Sequence, residues 1–425
     1  MLEVSKIRAN SQSIIEQLKK RGTDHSKNIQ LILDLDQERI ANQQRLDSLL
    51  GEGNQIAKKI GELAKEKKIN EINTLKEQAS SVKNKSKLFN QTAKDLEVSI
   101  QEVLVKIPNI PHKQTPSGNT AEDNIIISEW GKKNTDDNIM PHWEVAEKSN
   151  IIDFQKGSEI TGSGFPIYIG KGAQFQRALI NFFLDYNIKA GYTEYAPPYF
   201  VNENSAFNTG QIPDKEGMMY HMPSDDLYAI PTAEVPITNM FKNTRLKDSD
   251  LPIKCTAYSP CFRREAGSYG KDVRGLNRLH QFDKVEIVQI ATQIQSYTIL
   301  ESMVNHVSDL LKQLNLQFRI LKLCGGDLGF TSALTYDFEV YAPGQKKWLE
   351  VSSVSNFETY QANRLNLKYI DNDGNRLLCH TLNGSSLALP RIMVGLLEQN
   401  QYENTILIPK KIHKYLPFDK IIIPS

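Results

Sequence analysis

A seven-residue hydrophobic rhythm runs through residues 27–103, a stretch without proline, and leaves few folds open to this part of the chain. Mostly apolar positions recur at alternating steps of three and four residues, which is the pattern of a coiled-coil seam. The first series comprises Ile32, Leu35, Arg39, Asn42, Leu46, Leu49, Gly53, Ile56, Ile60 and Leu63, and the second Ile72, Leu75, Ala79, Val82, Ser86, Phe89, Ala93, Leu96, Ile100 and Val103. A short break at 67–70 separates them, so the pattern predicts two helices that fold back as an antiparallel hairpin.

The outer half of this predicted arm is basic. Between Gly51 and Lys94 the chain carries ten lysines against five glutamates. A lysine-rich helix pair with few aromatic residues suits contact with a phosphate backbone. Taken alone, the pattern also fits a solvated coiled coil that serves dimerisation. Residues 1–26 are expected to form a lead-in helix that packs at the base of the arm.

Composition limits the classes of protein that fit. The chain is 40% hydrophobic and 24% charged with a net charge of +1, which is typical of a globular protein. Its 425 residues are enough for two or three domains. A near-zero net charge argues against a protein whose whole surface is covered by nucleic acid, but it permits a locally basic element. No apolar run reaches the roughly 18 residues of a membrane span, and no signal peptide begins the sequence. We therefore expect a cytoplasmic location without membrane attachment.

The four cysteines, Cys255, Cys261, Cys324 and Cys379, lie far apart and form no C-x-x-C pair. Because zinc sites and disulfide frameworks show closer or regular spacing, buried free thiols are expected.

Prolines separate the arm from the rest of the chain. Pro108, Pro111 and Pro116 forbid a continuous helix, so residues 106–121 are predicted to be a linker. The resulting division is an N-terminal helical arm at 1–105, the linker, and a body of mixed helix and strand at 122–425.

Within the body, two apolar runs at 254–262 and 282–290 flank a segment that contains Gly267, Gly270 and Gly275. This arrangement predicts two antiparallel strands joined by a long mobile loop.

Charged residues and an aromatic residue lie at the facing ends of these strands. Arg263 and Glu265 are two residues apart and are expected to share one face, as are Phe282 and Glu286 on the partner strand. Arginine binds phosphate oxygens, a ring stacks on a base, and carboxylates accept from amino groups, so the set favours a nucleotide platform. The alternative is an ordinary hairpin with solvated charges.

Specific strings resemble a known family. Phe262-Arg263-Arg264-Glu265-Ala266-Gly267-Ser268, with Arg274-Gly275-Leu276 and His280-Gln281-Phe282, resembles motif 2 of the class II aminoacyl-tRNA synthetases, specifically of the bacterial-type seryl-tRNA synthetases. The likeness covers nearly the whole chain. Residues 175–201 resemble motif 1, with Pro198 at its proline, and residues 380–391 resemble motif 3, although Ser386 and Ala388 stand where glycines are usual.

The resemblance implies a fold and a reaction. The fold would be α+β, with a mostly antiparallel sheet flanked by helices and an N-terminal antiparallel two-helix coiled-coil arm. The reaction would use ATP and Mg²⁺ to convert L-serine to seryl-adenylate, then transfer the seryl group to the 3′-terminal adenosine of tRNA(Ser), and of tRNA(Sec) where present. Motif 1 forms the dimer interface in the family, so a homodimer is implied.

The resemblance also assigns roles to residues. The implied ATP contacts are Arg263, Arg264, Glu265, Phe282, Glu350, Val351, Ser352, Ser353 and Arg391, of which Arg263, Glu265 and Arg391 would be catalytic. The implied serine contacts are Thr232, Ala233, Glu234, Glu286 and Ser385. Glu350 and Ser353 would hold the metal, and the implied tRNA contacts are Lys58, Lys59, Lys65 and Lys83.

Two other functions remain open on the sequence. A related ligase that loads an amino acid onto a carrier protein would share the adenylation site but lack the basic arm. A non-enzymatic nucleic-acid-binding protein would keep the arm but lose site residues such as Arg263, Glu350 and Arg391, which are intact here.

Overall fold

The computed structural model describes residues 1–132, 138–214, 217–265 and 274–424. The chain divides into two compact units, Met1–Lys19 with Thr23–Pro108 and Lys20–Gly22 with Asn109–Ser425. Of the predicted glycine-rich loop between the two apolar runs, the part at 266–273, with Gly267 and Gly270, lies outside the described residues.

The first unit is built from three helices. They are α1 (Val4–Leu18), α2 (Ser26–Lys65) and α3 (Ile69–Leu104). The turn between α2 and α3 includes Lys67 in the left-handed region, with φ 56°. The 40 and 36 residues of these helices make each about 55 to 60 Å long at 1.5 Å per residue. The predicted helical hairpin is confirmed, and its turn at 66–68 lies within about one residue of the predicted break.

The seam of the hairpin follows the heptad pattern. Every predicted seam residue is buried or half-buried, including the polar ones. Asn42 satisfies its amide by donating to the carbonyl oxygen of Phe89 across the hairpin, at 2.9 Å. Asp36, which is buried off the seam, pairs with Arg39 at 2.7 Å and with Arg8 of α1 at 3.2 Å. The Asn42 contact therefore links α2 to α3, and the Asp36–Arg8 pair links α2 to α1.

The basic half of the hairpin is available to solvent. All ten lysines between Gly51 and Lys94 are exposed, among them Lys58, Lys59, Lys65 and Lys83. The apolar side chains point inward and the lysines outward because the heptad repeat leaves the remaining positions of each turn to solvent.

The second unit contains eight helices and nineteen strands in its described ranges. The helices are α4 (His142–Lys148), α5 (Phe154–Thr161), α6 (Lys171–Lys189), α7 (Glu203–Thr209), α8 (Glu234–Asn239), α9 (Ser296–Gln313), α10 (Thr359–Leu365) and α11 (Leu389–Gln399). The strands are β1 (Ile125–Trp130), β2 (Ile152–Asp153), β3 (Ile167–Tyr168), β4 (Thr193–Glu194), β5 (Phe200–Asn202), β6 (His221–Met222), β7 (Leu227–Ala229), β8 (Arg245–Lys247), β9 (Ile253–Phe262), β10 (Gln281–Ala291), β11 (Phe318–Lys322), β12 (Leu334–Ala342), β13 (Lys347–Asn356), β14 (Lys368–Ile370), β15 (Arg376–Leu378), β16 (His380–Ala388), β17 (Gln401–Tyr402), β18 (Thr405–Leu407) and β19 (Lys420–Ile422).

Eight of these strands form the main sheet, in the order β1-β11-β12-β13-β16-β10-β9-β4. Neighbouring strands are antiparallel except β4, which pairs with β9 in parallel. The predicted α+β class with a mostly antiparallel sheet is confirmed. The two strands predicted around the glycine-rich loop are β9 and β10, and they pair from Gln281 opposite Phe262 to Ile290 opposite Ile253.

Alternation along β10 separates the two faces of the sheet. Val285 and Ile287 belong to the main core, together with apolar residues of α6, α9 and α11. Val288 and Ile290 belong to a second cluster with residues of α8 and α10. Since side chains alternate along a strand, Phe282, Lys284 and Glu286 share the face of Val288 and Ile290. The three large helices therefore cover one face, and the polar residues occupy the other.

All four cysteines are buried with free thiols, as expected. In the part of the chain that the structure describes, none of the helices is both long and apolar enough to cross a membrane.

Candidate active site

A cleft opens on the polar face of the sheet, where β9, β10, β13 and β16 lie side by side. It is lined by Arg263, Glu265, Leu276, Asn277, Arg278, Leu279, Phe282, Lys284, Glu350, Val351, Ser352, Ser385, Ala388, Pro390 and Arg391. The structure thus brings together seven of the nine residues predicted to bind a nucleotide. Arg264 and Ser353 are not part of this lining, and Arg264 is exposed.

Arg263 and Phe282 lie next to each other at one end of the cleft. The backbone N–H of Arg263 donates to the carbonyl oxygen of His280 at 2.9 Å, which holds the two strand ends together. The guanidinium carbon of Arg263 lies 5.3 Å from the centre of the Phe282 ring, within the range of a cation–π contact. A planar apolar surface and a fixed positive charge therefore adjoin, as a nucleotide base and its phosphates require.

The expected common strand face of Arg263 and Glu265 is wrong. Strand β9 ends at Phe262, opposite the first residue of β10, so both side chains follow the strand rather than lie on it. Glu265 has φ 47°, which turns the chain away from an extended path. Its carboxylate pairs with Arg278 at 3.0 Å, and both residues still line the cleft.

Arg391 lines the cleft from the first turn of α11. Its Nη1 donates to the carbonyl oxygen of Glu350 at 2.7 Å, and its Nε donates to the carbonyl oxygen of Asn277 at 3.2 Å. The Oε2 atom of Glu350 lies 3.7 Å from the same guanidinium. Two backbone carbonyls thus fix the direction of the Arg391 side chain.

Glu350 and Ser353 form an oxygen-rich group on β13. The Ser353 hydroxyl lies 3.2 Å from Glu350 Oε1 and 2.6 Å from Asp337 Oδ1 on the paired strand β12. Burial, followed by the charge of Glu350, raises the pKa of Asp337 well above its ordinary range. Among the described residues, no three His, Cys, Asp or Glu side chains form a metal-binding group. Any cation held here would need oxygen ligands from a bound molecule as well.

Glu286 and Lys284 form a buried ion pair beside the cleft. Lys284 Nζ lies 2.7 Å from Glu286 Oε2, and the two side chains are 7% and 1% exposed. Ser385, which faces Glu286 on β16, donates its hydroxyl to the same carboxylate at 3.5 Å. Asn383 Nδ2 lies 3.2 Å from Glu286 Oε1. These side chains form a compact polar cluster, the polar chamber, with donors and acceptors already in place.

Glu234 completes this chamber from the first turn of α8. Its carboxylate accepts from Asn383 Nδ2 and from Gln361 Nε2, both at 2.7 Å, and the residue is 6% exposed. Burial raises the pKa of Glu234 to about 7, and the nearby charge of Glu286 adds to the rise. The Asn383 side chain therefore joins two carboxylates, Glu234 and Glu286, that would otherwise repel each other.

The triplet that contains Glu234 lies at the same place. Thr232 and Ala233 are buried, and the Thr232 hydroxyl oxygen accepts from the backbone N–H of Glu234 at 3.3 Å. The structure therefore gathers the five predicted serine contacts around β10, β16 and the start of α8.

The other face of the sheet supports this chamber. Asn187 of α6 donates to the Thr256 hydroxyl at 2.9 Å, and Thr256 donates to the carbonyl oxygen of Glu286 at 2.9 Å. The Asn187 Oδ1 atom accepts from Ser386 at 2.8 Å and lies 2.7 Å from His306 Nε2. Burial lowers the pKa of His306 to about 4, so the ring is neutral at pH 7. Strands β10 and β16 are thereby tied to α6 directly behind the chamber.

Several residues of the site were not predicted from the sequence. They are Lys284, Arg278, Asn277, Asn383, Gln361 and Asp337. Lys284 could have been found, because it lies midway between Phe282 and Glu286 and alternation places it on their face. Gln361 and Asp337 reach the site from α10 and β12 through long-range packing, and no local signal in the sequence marks them.

Comparisons with known proteins identify the family of the chain. A family model described as the seryl-tRNA synthetase N-terminal domain matches residues 1–111, and one described as the tRNA synthetase class II core domain (G, H, P, S and T) matches residues 220–400. The serine–tRNA ligase of Salinibacter ruber is 43% identical over 424 residues, which is 99% of each chain. That of Caldicellulosiruptor bescii is also 43% identical, over 99% of this chain and all of its own.

Solved structures give the same result. The seryl-tRNA synthetase of Pyrococcus horikoshii, complexed with ATP, superimposes with a TM-score of 0.93 and 32% identity over the full length of both chains. The cytoplasmic serine–tRNA ligase of Naegleria fowleri, in complex with AMP, has a TM-score of 0.89 at 23% identity, which shows the shared fold. The chain belongs to the seryl-tRNA synthetase family of the class II aminoacyl-tRNA synthetases.

Proposed function

We propose that the protein activates L-serine with ATP to form seryl-adenylate and transfers the seryl group to the 3′-terminal adenosine of tRNA(Ser), and of tRNA(Sec) where present. The observation that carries this proposal is the polar chamber of Glu234, Glu286, Asn383 and Ser385 beside a cleft that holds Arg263 and Arg391. A hydroxyl-bearing amino acid fits the chamber, and a triphosphate fits the two cations.

In this proposal the cleft binds ATP. The Phe282 ring stacks on adenine and Glu265 accepts from its amino group. Arg263 neutralises the α-phosphate, and Arg391 binds the terminal phosphates. Arg264, Val351 and Ser352 complete the contacts. Arg391 is well suited to this role because carbonyl oxygens already orient its guanidinium, so little side-chain entropy is lost on binding.

The chamber binds serine. A Glu234 carboxylate pairs with the α-ammonium group, and Thr232 and Ala233 border it. Glu286 and Ser385 accept from and donate to the serine hydroxyl. A substrate that lacks the hydroxyl cannot form these two hydrogen bonds in the buried site, so it is rejected.

Glu350 and Ser353 are proposed to hold Mg²⁺ together with phosphate oxygens of ATP. Their oxygen atoms lie 3.2 Å apart. Adjacent ligands of an octahedral Mg²⁺, with bonds of about 2.1 Å, are separated by about 3 Å, so the pair fits one edge of the coordination shell. The ion, when bound, would neutralise charge on the phosphates. The two protein ligands and Arg391 would fix the direction of the leaving pyrophosphate.

Positioning and charge neutralisation carry the chemistry. A serine carboxylate oxygen attacks the α-phosphorus of ATP, and the bond to the bridging oxygen of pyrophosphate breaks. A hydroxyl of the terminal adenosine of the tRNA then attacks the seryl carbonyl carbon and AMP leaves. Arg263 lies where it can offset charge in the first step, and no side chain needs to form a covalent intermediate.

The first unit is proposed to bind tRNA. We assign residues 1–105 to a tRNA-binding arm, 106–121 to a linker and 122–425 to the catalytic domain. Lys58, Lys59, Lys65 and Lys83 are exposed and few aromatic residues accompany them, which supports contact with the phosphate backbone rather than with bases. This basic hairpin, with the family model that matches 1–111, also speaks against a carrier-protein ligase.

A homodimer is also proposed. The stretch at 175–201 that resembles motif 1 runs from α6 through β4 to the start of β5, and two aromatic side chains near its end, Tyr199 and Phe200, are 38% and 47% exposed. Light scattering at micromolar concentration is expected to give twice the mass of the chain. A fully active monomer would contradict this assignment.

The test of the proposed function is charging of purified tRNA. The full chain with ATP, Mg²⁺ and labelled serine should aminoacylate tRNA(Ser), and Arg263→Ala should abolish charging while the variant remains folded. A tRNA of another specificity, such as tRNA(Ala), serves as the control. Transfer of serine to an acyl carrier protein in place of tRNA(Ser) would overturn the proposal.

A further inference from the structure

A histidine–carboxylate pair lies outside the substrate cleft, wholly inside the second unit. His142 of α4 and Glu398 of α11 are both 0% exposed, and Nδ1 of the ring lies 2.9 Å from Glu398 Oε1. The backbone N–H of His142 also donates to Oε1, at 3.0 Å, and the backbone N–H of Gly344 donates to Oε2 at 2.9 Å. Gln345 Nε2 lies 2.8 Å from Oε1. Glu398 therefore has donors on both oxygens and is a fixed anchor.

The hydrogen bonds determine which ring nitrogen carries the proton. Nε2 of His142 accepts from the backbone N–H of Leu276 at 2.9 Å, so the proton lies on Nδ1 and is donated to Glu398. Burial lowers the pKa of His142, which keeps the ring neutral and Nε2 free to accept. The carboxylate thus selects the tautomer that the Leu276 N–H requires.

The segment held by His142 leads directly into the cleft. At Gly275, with φ 69°, a Cβ atom would lie 2.2 Å from His142 Nε2, so backbone and imidazole are in close contact. Leu276 and Asn277 line the cleft. Asn277 then accepts from Arg391 Nε through its carbonyl oxygen, at 3.2 Å, and donates from its side chain to Gln345 at 2.9 Å. Hydrogen bonds, together with the short covalent segment of Leu276 and Asn277, therefore connect Glu398 with the guanidinium of Arg391.

We propose that His142, oriented by Glu398, is a positioning residue for ATP: it fixes the backbone at Leu276 and Asn277 and, through Asn277, the direction of Arg391. This inference rests on the proposed function, because it assigns a second layer of residues to the same nucleotide site. The serine chamber receives none of these hydrogen bonds, so the effect is specific to ATP.

The test compares His142→Phe with His142→Gln. Phenylalanine fills the space of the ring but cannot accept from Leu276, so the KM for ATP in serine-dependent pyrophosphate exchange should rise about tenfold, the loss typical of one buried hydrogen bond. The KM for serine should stay within about twofold of the parent value. Glutamine has both an acceptor and a donor, so it should recover most of the ATP affinity.

His413→Phe is the matched control, because His413 is a half-buried histidine whose ring nitrogen contacts the carbonyl oxygen of Ile408 away from the cleft. It should leave both KM values unchanged. If His142→Phe does not fold, Glu398→Gln keeps the volume of the core, disturbs the same anchor and should raise the KM for ATP selectively.

The outcomes separate the two claims. If the parent protein shows no serine-dependent pyrophosphate exchange, the proposed function itself is refuted. An active parent in which the folded variants leave the KM for ATP unchanged, or raise both KM values equally, would overturn the positioning role of His142.

Discussion

Replacing Glu234 by Gln should make stability less dependent on pH while it weakens serine binding. The residue is 6% exposed, and burial raises its pKa from 4.5 to about 7. A raised pKa means that the folded protein binds the proton more tightly than the unfolded chain does. The stability that comes with the proton is therefore complete below about pH 4.5 and is lost as the pH rises through about 7.

The size of the effect follows from the pKa. A rise from 4.5 to about 7 corresponds to roughly 3 kcal/mol of stability lost by the parent between those pH values. The introduced glutamine would not titrate, so the variant should gain roughly that amount relative to the parent between pH 4.5 and pH 8. Glutamine also replaces one acceptor oxygen, next to Gln361 or Asn383, by a donor. That cost does not vary with pH and leaves the predicted change intact.

Thermal unfolding provides the assay. With an unfolding entropy of about 2.1 cal/mol/K per residue over a unit of about 300 residues, roughly 3 kcal/mol corresponds to about 5 °C in Tm. The difference in Tm, variant minus parent, should become more positive by about this amount between pH 4.5 and pH 8. A matched control is Glu301→Gln, an exposed glutamate of α9, which should give a constant difference. If the difference in Tm for Glu234→Gln is also independent of pH, the Glu234 carboxyl does not have a pKa raised by burial.

The ionisation of Glu234 should also affect serine binding, and here the ionised form is the favourable one. Serine brings an ammonium group that stabilises the Glu234 carboxylate, so serine binding below pH 7 releases a proton. The KM for serine in pyrophosphate exchange should therefore fall as the pH rises from 6 to 8. In Glu234→Gln the KM should be high throughout this range and should lack that dependence.

Three further outcomes are expected. In the first, the four exposed arm lysines, Lys58, Lys59, Lys65 and Lys83, are replaced by Ala. The KM for tRNA(Ser) should rise while pyrophosphate exchange stays unchanged, and the slope of log affinity against log salt concentration should fall by about three units. Glu350→Gln should shift the Mg²⁺ concentration that half-saturates exchange upward, whereas Glu339→Gln, on the neighbouring strand, should not; equal shifts would contradict the metal assignment. Asn187→Ala should raise the KM for serine more than the KM for ATP, because it loosens Thr256 and Ser386 behind the chamber, and a selective effect on ATP would contradict that role.

The arm could be predicted almost residue by residue from the sequence. A heptad repeat is a local signal, and each seam position is decided by neighbours three and four residues away. The strands β9 and β10 were also predictable, since apolar runs and glycines mark them. The burial of Asp36 was not predicted. Asp36 lies outside the repeat, and its partner Arg8 belongs to another helix, so the heptad pattern does not mark it.

The candidate site could be predicted only in part. The end of β9 depends on where β10 begins to pair, so the turn at Glu265 was not visible in the local pattern. Asp337 reaches Ser353 because β12 and β13 pair in a particular register. Gln361 reaches Glu234 from a helix more than a hundred residues further along the chain. Each of these contacts is set by tertiary packing, which leaves no short-range trace.

The central claim, that the chamber selects serine, is tested most directly by ATP–pyrophosphate exchange with each amino acid in turn. Serine should be the preferred substrate. Alanine should be rejected by a factor of roughly ten thousand, because it cannot form the hydrogen bonds that the serine hydroxyl makes with Glu286 and Ser385. Threonine keeps the hydroxyl, so only a steric clash with its additional methyl group excludes it, and it should be the strongest competitor. Glu286→Gln should reduce serine-dependent exchange steeply with little change in the KM for ATP. Preference for alanine, glycine or threonine over serine, or normal serine activation by Glu286→Gln, would contradict the account.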